Sequence, residues 1–298
     1  MLKTAVAAFA GKTARRAARL RGGGSGGSAL PGLVAEKIDP GFLAHALGDV
    51  PGRIVVVSGT NGKTTTTKML VALLRAHGRT VFTNPTGSNF TRGVISALLA
   101  ERLHRGRLQA DIAVLELDEA HALHFARAVA PTHALLLNVA RDQLDRFAEI
   151  DHTASLLTQL AGMTTQGVVL NRDDPFVNRI ATTVSGLDIA WFGLDASIAD
   201  RLGELQEHDS RGGDAWQPPA LTARDALLRP VDGQQLSVVF GEQGEGGTVG
   251  PVALRQRGLA AMINATAATA TARALLGDGF RAEAAEQALR TVAPPFGR

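Results

Sequence analysis

The apolar run Ile54-Val55-Val56-Val57 leads directly into Ser58-Gly59-Thr60-Asn61-Gly62-Lys63-Thr64-Thr65-Thr66-Thr67. A strand, a glycine loop with one lysine, and hydroxyl residues opening a helix are the parts that cradle a polyphosphate. Backbone N–H groups of the loop and the helix N-terminus meet phosphate oxygens, and Lys63 adds a point charge. Thr64 is placed to offer its hydroxyl to a phosphate-bound Mg²⁺. The helix expected over 64–76 carries Met69, Leu70, Leu73 and Leu74 on one stripe. The general phosphate-loop pattern asks for glycine at position 57; here Val57 stands there and Gly59 is the upstream glycine.

Downstream, strand and helix patterns alternate. Short apolar strands are expected at 80–83, 111–117, 133–137 and 167–170, and helices at 92–103, 121–129 and 151–161. This implies an α/β fold, a mostly parallel sheet with flanking helices. From about Leu194 to Arg257 the texture turns glycine-rich and acidic around short strands at 236–240 and 252–254, read as a variable loop and a small antiparallel flap. Helices return at 258–276 and 280–292. The domain division expected is 1–50 for a basic helix, glycine-rich loop and short helical segment, and 51–298 for the main α/β unit.

Ligands of parallel sheets sit beyond the carboxyl ends of the strands, which directs attention to four strings. Glu116 ends the strand Ile112-Ala113-Val114-Leu115 and is placed to hold Mg²⁺ across from the phosphate loop, with Asp118 and Glu119 nearby. The polar loop from Asn84 to Gly93 offers Thr86, Ser88, Asn89 and Arg92 to a substrate phosphate or carboxylate, although Ser88 or Thr91 would also serve as an ordinary helix cap. Asn138 and Asp142, in Asn138-Val139-Ala140-Arg141-Asp142-Gln143-Leu144-Asp145, join them as expected substrate contacts. The fourth string is Asn171-Arg172-Asp173-Asp174-Pro175. His121 and His124 lie three apart on a helix, a spacing that admits a metal pair, but the reading preferred is a solvated or partly packed pair.

Composition narrows the partners. The pI of 9.8 accompanies a net charge of only +3; with Tyr and Cys both absent, little titrates between the histidines and the five lysines. Scattered arginines without interleaved aromatics are no nucleic-acid footprint. The lack of cysteine excludes disulfides and thiolate metal sites. No run is expected to be long and apolar enough to span a membrane. Charge is uneven, however: Lys3, Lys12, Arg15, Arg16, Arg19 and Arg21 precede the first acid, Glu36, among Leu2, Val6, Phe9 and Leu20. Two readings stand, a helix at an anionic membrane surface and an exposed helix packed on its own domain. Residues 22–28, rich in glycine and serine, read as a flexible loop.

The string Gly59-Thr60-Asn61-Gly62-Lys63-Thr64-Thr65 after a hydrophobic strand resembles the ATP loop of the Mur ligase superfamily, the ATP-dependent amide-bond formers of bacterial cell-wall synthesis. Glu116 matches that superfamily's metal-binding glutamate, and the resemblance implies ATP contacts from the loop, from Asn264 and from Arg298. Thr-Gly-Ser-Asn after the second strand, Glu-Leu-Asp-Glu-Ala after the third and Arg-Asp-Gln-Leu-Asp-Arg after the fourth resemble the MurT subunits of lipid II isoglutaminyl synthases. That resemblance implies ATP-dependent amidation of the D-glutamate α-carboxylate of the lipid II stem peptide through an acyl phosphate. The ammonia would come from a GatD-type glutaminase subunit, and the site would lie in the cytoplasm or at the inner face of the membrane.

Some residues depart from the pattern. The superfamily's ligases use a carbamylated lysine, yet no lysine occurs beyond Lys68; Ala261 replaces the first asparagine of the adenine-contacting pair; and Gln143 stands where many ligases have histidine. The four cysteines of the zinc ribbon in several MurT relatives are missing, so no zinc is expected. The family's C-terminal domain would come after Phe296-Gly297-Arg298. The alternatives are a Mur-type amino-acid ligase and a nucleotide-binding scaffold subunit.

Overall fold

From the N-terminus, α1 (Leu2–Leu20), α2 (Leu30–Ile38) and α3 (Phe42–Leu47) precede β1 (Ile54–Ser58), and α4 (Lys63–Ala76) leads to β2 (Val81–Thr83) and α5 (Thr91–Leu98). A hairpin of β3 (Leu103–His104) and β4 (Arg107–Leu108) comes next, then β5 (Ile112–Glu116), α6 (Glu119–Ala128), β6 (His133–Leu136), α7 (Phe147–Gly162), β7 (Gly167–Asn171), α8 (Pro175–Asn178) and β8 (Asp188–Leu194). The chain closes with β9 (Ala226–Pro230), β10 (Gln235–Phe240), β11 (Thr248–Ala253), α9 (Leu259–Leu276) and α10 (Ala282–Thr291). This computed structural model describes residues 2–20, 30–48, 50, 53–84, 91–140, 147–196, 198 and 220–294.

Nine strands form one sheet in the order β11-β10-β9-β8-β7-β6-β1-β5-β2. All pairs from β2 to β9 are parallel, and β10 runs antiparallel between β9 and β11. β1 is apolar on both faces because it lies inside the sheet. Ile54 and Val56 enter one core with Ala113, Leu115 and Leu136; Val55 and Val57 enter the other with Leu70, Leu74 and Leu135. The second core is roofed by α4, α9 and α10, the first by α5 to α7 and by α1 to α3, whose Ala7, Ala35 and Phe42 are fully buried.

Beyond β2 the chain returns to pair β5 with β1, then crosses to β6 on the other side of β1. This reversal opens a crevice beyond the carboxyl ends of β1, β5 and β6, the customary ligand position in such sheets.

Several sequence expectations are corrected. The helix expected over 92–103 stops at Leu98, because Arg105 (φ 51°) and Gly106 (φ 86°) turn a tight hairpin. The expected flap strands are present and antiparallel, as read; the addition is that they continue the main sheet through β8 and β9, which are unread in the sequence. One helix is long and apolar enough to cross a membrane by length and composition, contrary to expectation: α9 with its C-terminal turn. Most of it is buried inside the protein. Its Thr266, Thr269 and Thr271 are buried and return their hydroxyls to the carbonyls four residues back.

Candidate functional site

The loop between β1 and α4 is shaped by two glycines. Gly59 has φ 131°, and a Cβ there would come within 3.0 Å of the backbone N and O of Asn138. Gly62 has φ 88°, and a side chain there would run into Asn264 Oδ1 from α9. Both positions therefore need glycine for conformation and for space. Asn264, expected from the resemblance, is brought against the phosphate loop itself.

Asn138 carries the second half of the design. Its Oδ1 accepts from Asn61 N (2.9 Å), its Nδ2 donates to Asn61 O (3.0 Å), and its backbone O accepts from Thr60 N (3.0 Å). Thr60 Oγ1 in turn accepts from Ala140 N at 3.1 Å. The sequence suggests a substrate contact at Asn138; in the structure both amide atoms are engaged in bracing the loop.

Lys63 opens α4 with its ammonium folded back over the loop. It donates to Gly59 O (2.6 Å) and Thr60 O (3.2 Å), and Asp118 Oδ1 lies 3.3 Å away. Its neighbour Thr64 donates from Oγ1 to Glu116 Oε1 at 2.6 Å. Glu116 is 6% exposed, and burial raises its pKa above the ordinary carboxylate value. Asp118 adds to that rise, while the Thr64 hydrogen bond and the charges of Lys63 and Lys68 oppose it.

The backbone of Glu116 is fixed by a residue that sequence reasoning does not single out. Asn84 Oδ1 accepts from Glu116 N (2.9 Å) and Asn84 Nδ2 donates to Glu116 O (2.8 Å). Only the polarity of the loop that Asn84 begins hints at it. Glu116, Thr64 and Asn84 line one end of a cavity of about 290 Å³ that runs along α4 past Lys68, Val71 and Arg75, while the glycine loop itself does not line it.

Other expected residues fall elsewhere. Arg92, at the start of α5, donates from Nε to Glu36 Oε2 of α2 at 3.1 Å, tying the body to the N-terminal helices. Thr65 is partly buried in the first turn of α4. Thr86, Ser88, Asn89, Asp142 and Arg298 lie outside the described residues. His121 and His124 are exposed on α6. The string after β7 is structural: Asp174 Oδ1 caps α8 by accepting from Phe176 N and Val177 N, its Oδ2 accepts from Val139 N, and Asp173 Oδ2 accepts from Leu194 N.

The donor set at Thr64 and Glu116 fits Mg²⁺. A hydroxyl and a carboxylate oxygen, both suited to a hard cation, meet where the phosphate loop runs into α4. Among the described residues no group of three or more His, Asp or Glu side chains could hold a metal unaided. An ion here would complete its shell with phosphate and water, as Mg²⁺ commonly does.

Residues 57–272 match the family model of the Mur ligase middle domain. The chain belongs to the Mur ligase family. It is 34% identical over 185 residues to the lipid II isoglutaminyl synthase subunit MurT of Staphylococcus aureus strain COL, covering 62% of this chain and 40% of that relative. It is 32% identical over 236 residues to UDP-N-acetylmuramoylalanine–D-glutamate ligase of Burkholderia multivorans, covering 75% of this chain and 43% of that one. This Mur ligase family chain thus spans less than half the length of either. The Mur ligase fold is seen again in MurF of Thermotoga maritima in complex with ADP, at TM-score 0.60 and 20% identity over 89% of this chain and 53% of that one.

Proposed function

We propose that this chain is the ATP-binding core of a synthetase subunit that amidates the D-glutamate α-carboxylate of the lipid II stem peptide. The observation that carries the reading is the convergence of Lys63, Thr64 and Glu116 at the mouth of a braced phosphate loop. The similarity to MurT supports the choice of reaction.

A carboxylate is a poor electrophile. Transfer of the γ-phosphoryl group of ATP to one of its oxygens gives an acyl phosphate and ADP. Ammonia then attacks the carbonyl carbon, the C–O bond to phosphate breaks, and loss of a proton leaves the amide. The N–H groups that open α4 and the Lys63 ammonium would hold the phosphates in line and meet the transition-state charge, while the N–H groups of Thr60 and Asn61 are kept by Asn138. Magnesium ion, when bound beside Thr64 and Glu116, would neutralise phosphate charge. Within the chain, Asn84 and Asn138 keep those groups in place by their hold on Glu116 and on the loop.

Ammonia would come from a GatD-type glutaminase partner, and the lipid-linked substrate would put the complex at the inner face of the membrane. The second reading, a Mur-type amino-acid ligase, is favoured by the longer match to the D-glutamate ligases; the absence of any lysine after Lys68 weighs against it. A scaffold subunit would bind nucleotide without turnover.

The test supplies Mg·ATP, a lipid II analogue and ammonium to the synthetase with and without the glutaminase, and tracks the stem peptide by mass spectrometry. Conversion of hydroxyl to amide, lost in Lys63→Ala, supports amidation. Mass gain of an amino acid supports the ligase. Nucleotide binding with an unchanged peptide leaves the scaffold.

A further inference from the structure

Five large apolar side chains are exposed among the described residues, and three of them share one stripe of α1: Leu2 (81%), Val6 (49%) and Phe9 (74%). Their spacing of four and three residues aligns them along the helix, and exposed Thr13 and Arg16 continue the row. A fourth, Leu30, begins α2, which packs against α1.

The opposite face explains why the bulky residues point outward. Thr4, Ala7, Ala8 and Gly11 are buried against the body, and a Cβ on Gly11 would run into the Leu99 side chain. The helix lies close on its small-residue side, so it cannot turn Leu2 and Phe9 inward without lifting away. The sequence stripe of Leu2, Val6 and Phe9 is therefore real, yet it is the face left uncovered.

Charge says what would cover it. Six of the 31 basic residues lie before Glu36 with no acid among them, so the remaining 25 face 28 acids. The positive excess of the whole chain is thus concentrated in α1 and its connection. The β3–β4 hairpin abuts α1 where Gly106 meets the backbone of Thr4; Arg105 in its turn and Arg102 just before it are exposed, as is the single acid Glu101. Lys12 Nζ donates to Glu101 O at 2.8 Å, pinning the two elements together. A convex apolar stripe flanked by cations matches the boundary between acyl chains and anionic headgroups. Pairing the stripe with the same stripe of a second copy would bring the cations together instead.

We propose that α1, with Leu2, Val6 and Phe9 as its inserted residues and Lys3, Arg16, Arg102 and Arg105 as its flanks, docks this chain on an anionic lipid bilayer. The inference goes beyond the amidation reading and holds or fails separately from it.

The test is co-sedimentation of the chain with extruded vesicles of phosphatidylglycerol and phosphatidylcholine, or of phosphatidylcholine alone. Binding is expected on the anionic vesicles, at least tenfold weaker on the neutral ones, and reduced by salt. The triple variant Leu2→Ser, Val6→Ser, Phe9→Ser should lose at least tenfold in binding while keeping its circular dichroism and melting temperature, since these side chains are outside the core. A Phe9→Trp variant should show a blue-shifted emission on anionic vesicles, quenched by brominated acyl chains. No binding to anionic vesicles, or equal binding by the triple variant, overturns the proposal. So does a dimer in light scattering that the triple variant abolishes without any vesicle binding by the parent, which would assign the stripe to a second copy.

Discussion

Glu116 and the Asp173-Asp174 pair are carboxylates at the carboxyl ends of parallel strands in one sheet, on opposite sides of β1. Their surroundings use them differently. Asp174 accepts three backbone N–H groups, from Val139, Phe176 and Val177, and Asp173 accepts one from Leu194. These acids sew β6, β7, β8 and α8 together. Glu116 accepts a side-chain hydroxyl, from Thr64, while its own main chain is gripped by Asn84, and it lines a cavity. An acid whose oxygens are consumed by backbone donors is part of the frame. One that is held by its backbone keeps its oxygens for a ligand.

The largest effect that tests this contrast lies at the loop. Lys63→Ala should weaken nucleotide binding by about two orders of magnitude or more, in line with losing one partner of a charge-assisted contact, about 2–5 kcal/mol. Titration of a fluorescent ADP analogue reads it, and an unchanged affinity would remove the loop from the ligand-facing side of the comparison. Next, Asp174→Ala should cost about 2–3 kcal/mol of folding stability, as a helix cap and a buried acceptor are lost together. Urea unfolding measures this; a stability equal to the parent's would break the structural half.

Glu116→Gln keeps an acceptor for Thr64 but removes the charge. The Mg²⁺-dependent part of nucleotide affinity should fall roughly tenfold, with little change in its absence. Because burial raises the pKa of Glu116, that part should also weaken in the parent as pH falls through a window above the usual carboxylate range, and the Gln variant should lack this dependence.

The smallest effect belongs to Asp173, whose pKa burial raises from 3.8 to about 6. With the folded value above the unfolded one, the native state holds the proton more tightly. The associated stability is complete below about pH 4 and is lost as pH rises through about 6. Asp173→Asn keeps an acceptor for Leu194 N and should flatten this slope, raising the melting temperature at about pH 7.5 by roughly 2 °C relative to the parent. A variant that retains the parent's slope would trace it to another group.

Legibility depends on the range of the interactions. The strand, loop and helix from Ile54 to Ala76 are local, and their periodicity and glycines stand in the sequence. So does Glu116 at a strand end. Asn84 and Asn138 are readable only as polar loop residues, because their partners lie 32 and 77 positions away. Arg92 has the look of an anion contact in the sequence, whereas its partner is Glu36 on α2, 56 positions back. β8 begins at an exposed aspartate and β9 ends in Arg229-Pro230, so neither shows a clean apolar alternation; pairing with neighbours makes them strands. Even the N-terminal stripe is visible as a pattern, whereas its direction depends on which face has the smaller residues.

The double hold of Asn138 on Thr60 and Asn61 has a kinetic consequence. Amides of a surface loop ordinarily exchange quickly with solvent deuterium, yet these two are already bonded before any ligand arrives. Their exchange should be slower than that of unbonded loop amides in the free protein, and a phosphate should find the loop assembled, with little ordering entropy left to lose. Among the described residues of the loop, the group that must swing to meet a phosphate is the Lys63 ammonium, now resting on the carbonyls of Gly59 and Thr60. That swing is a side-chain rotamer change on the nanosecond scale.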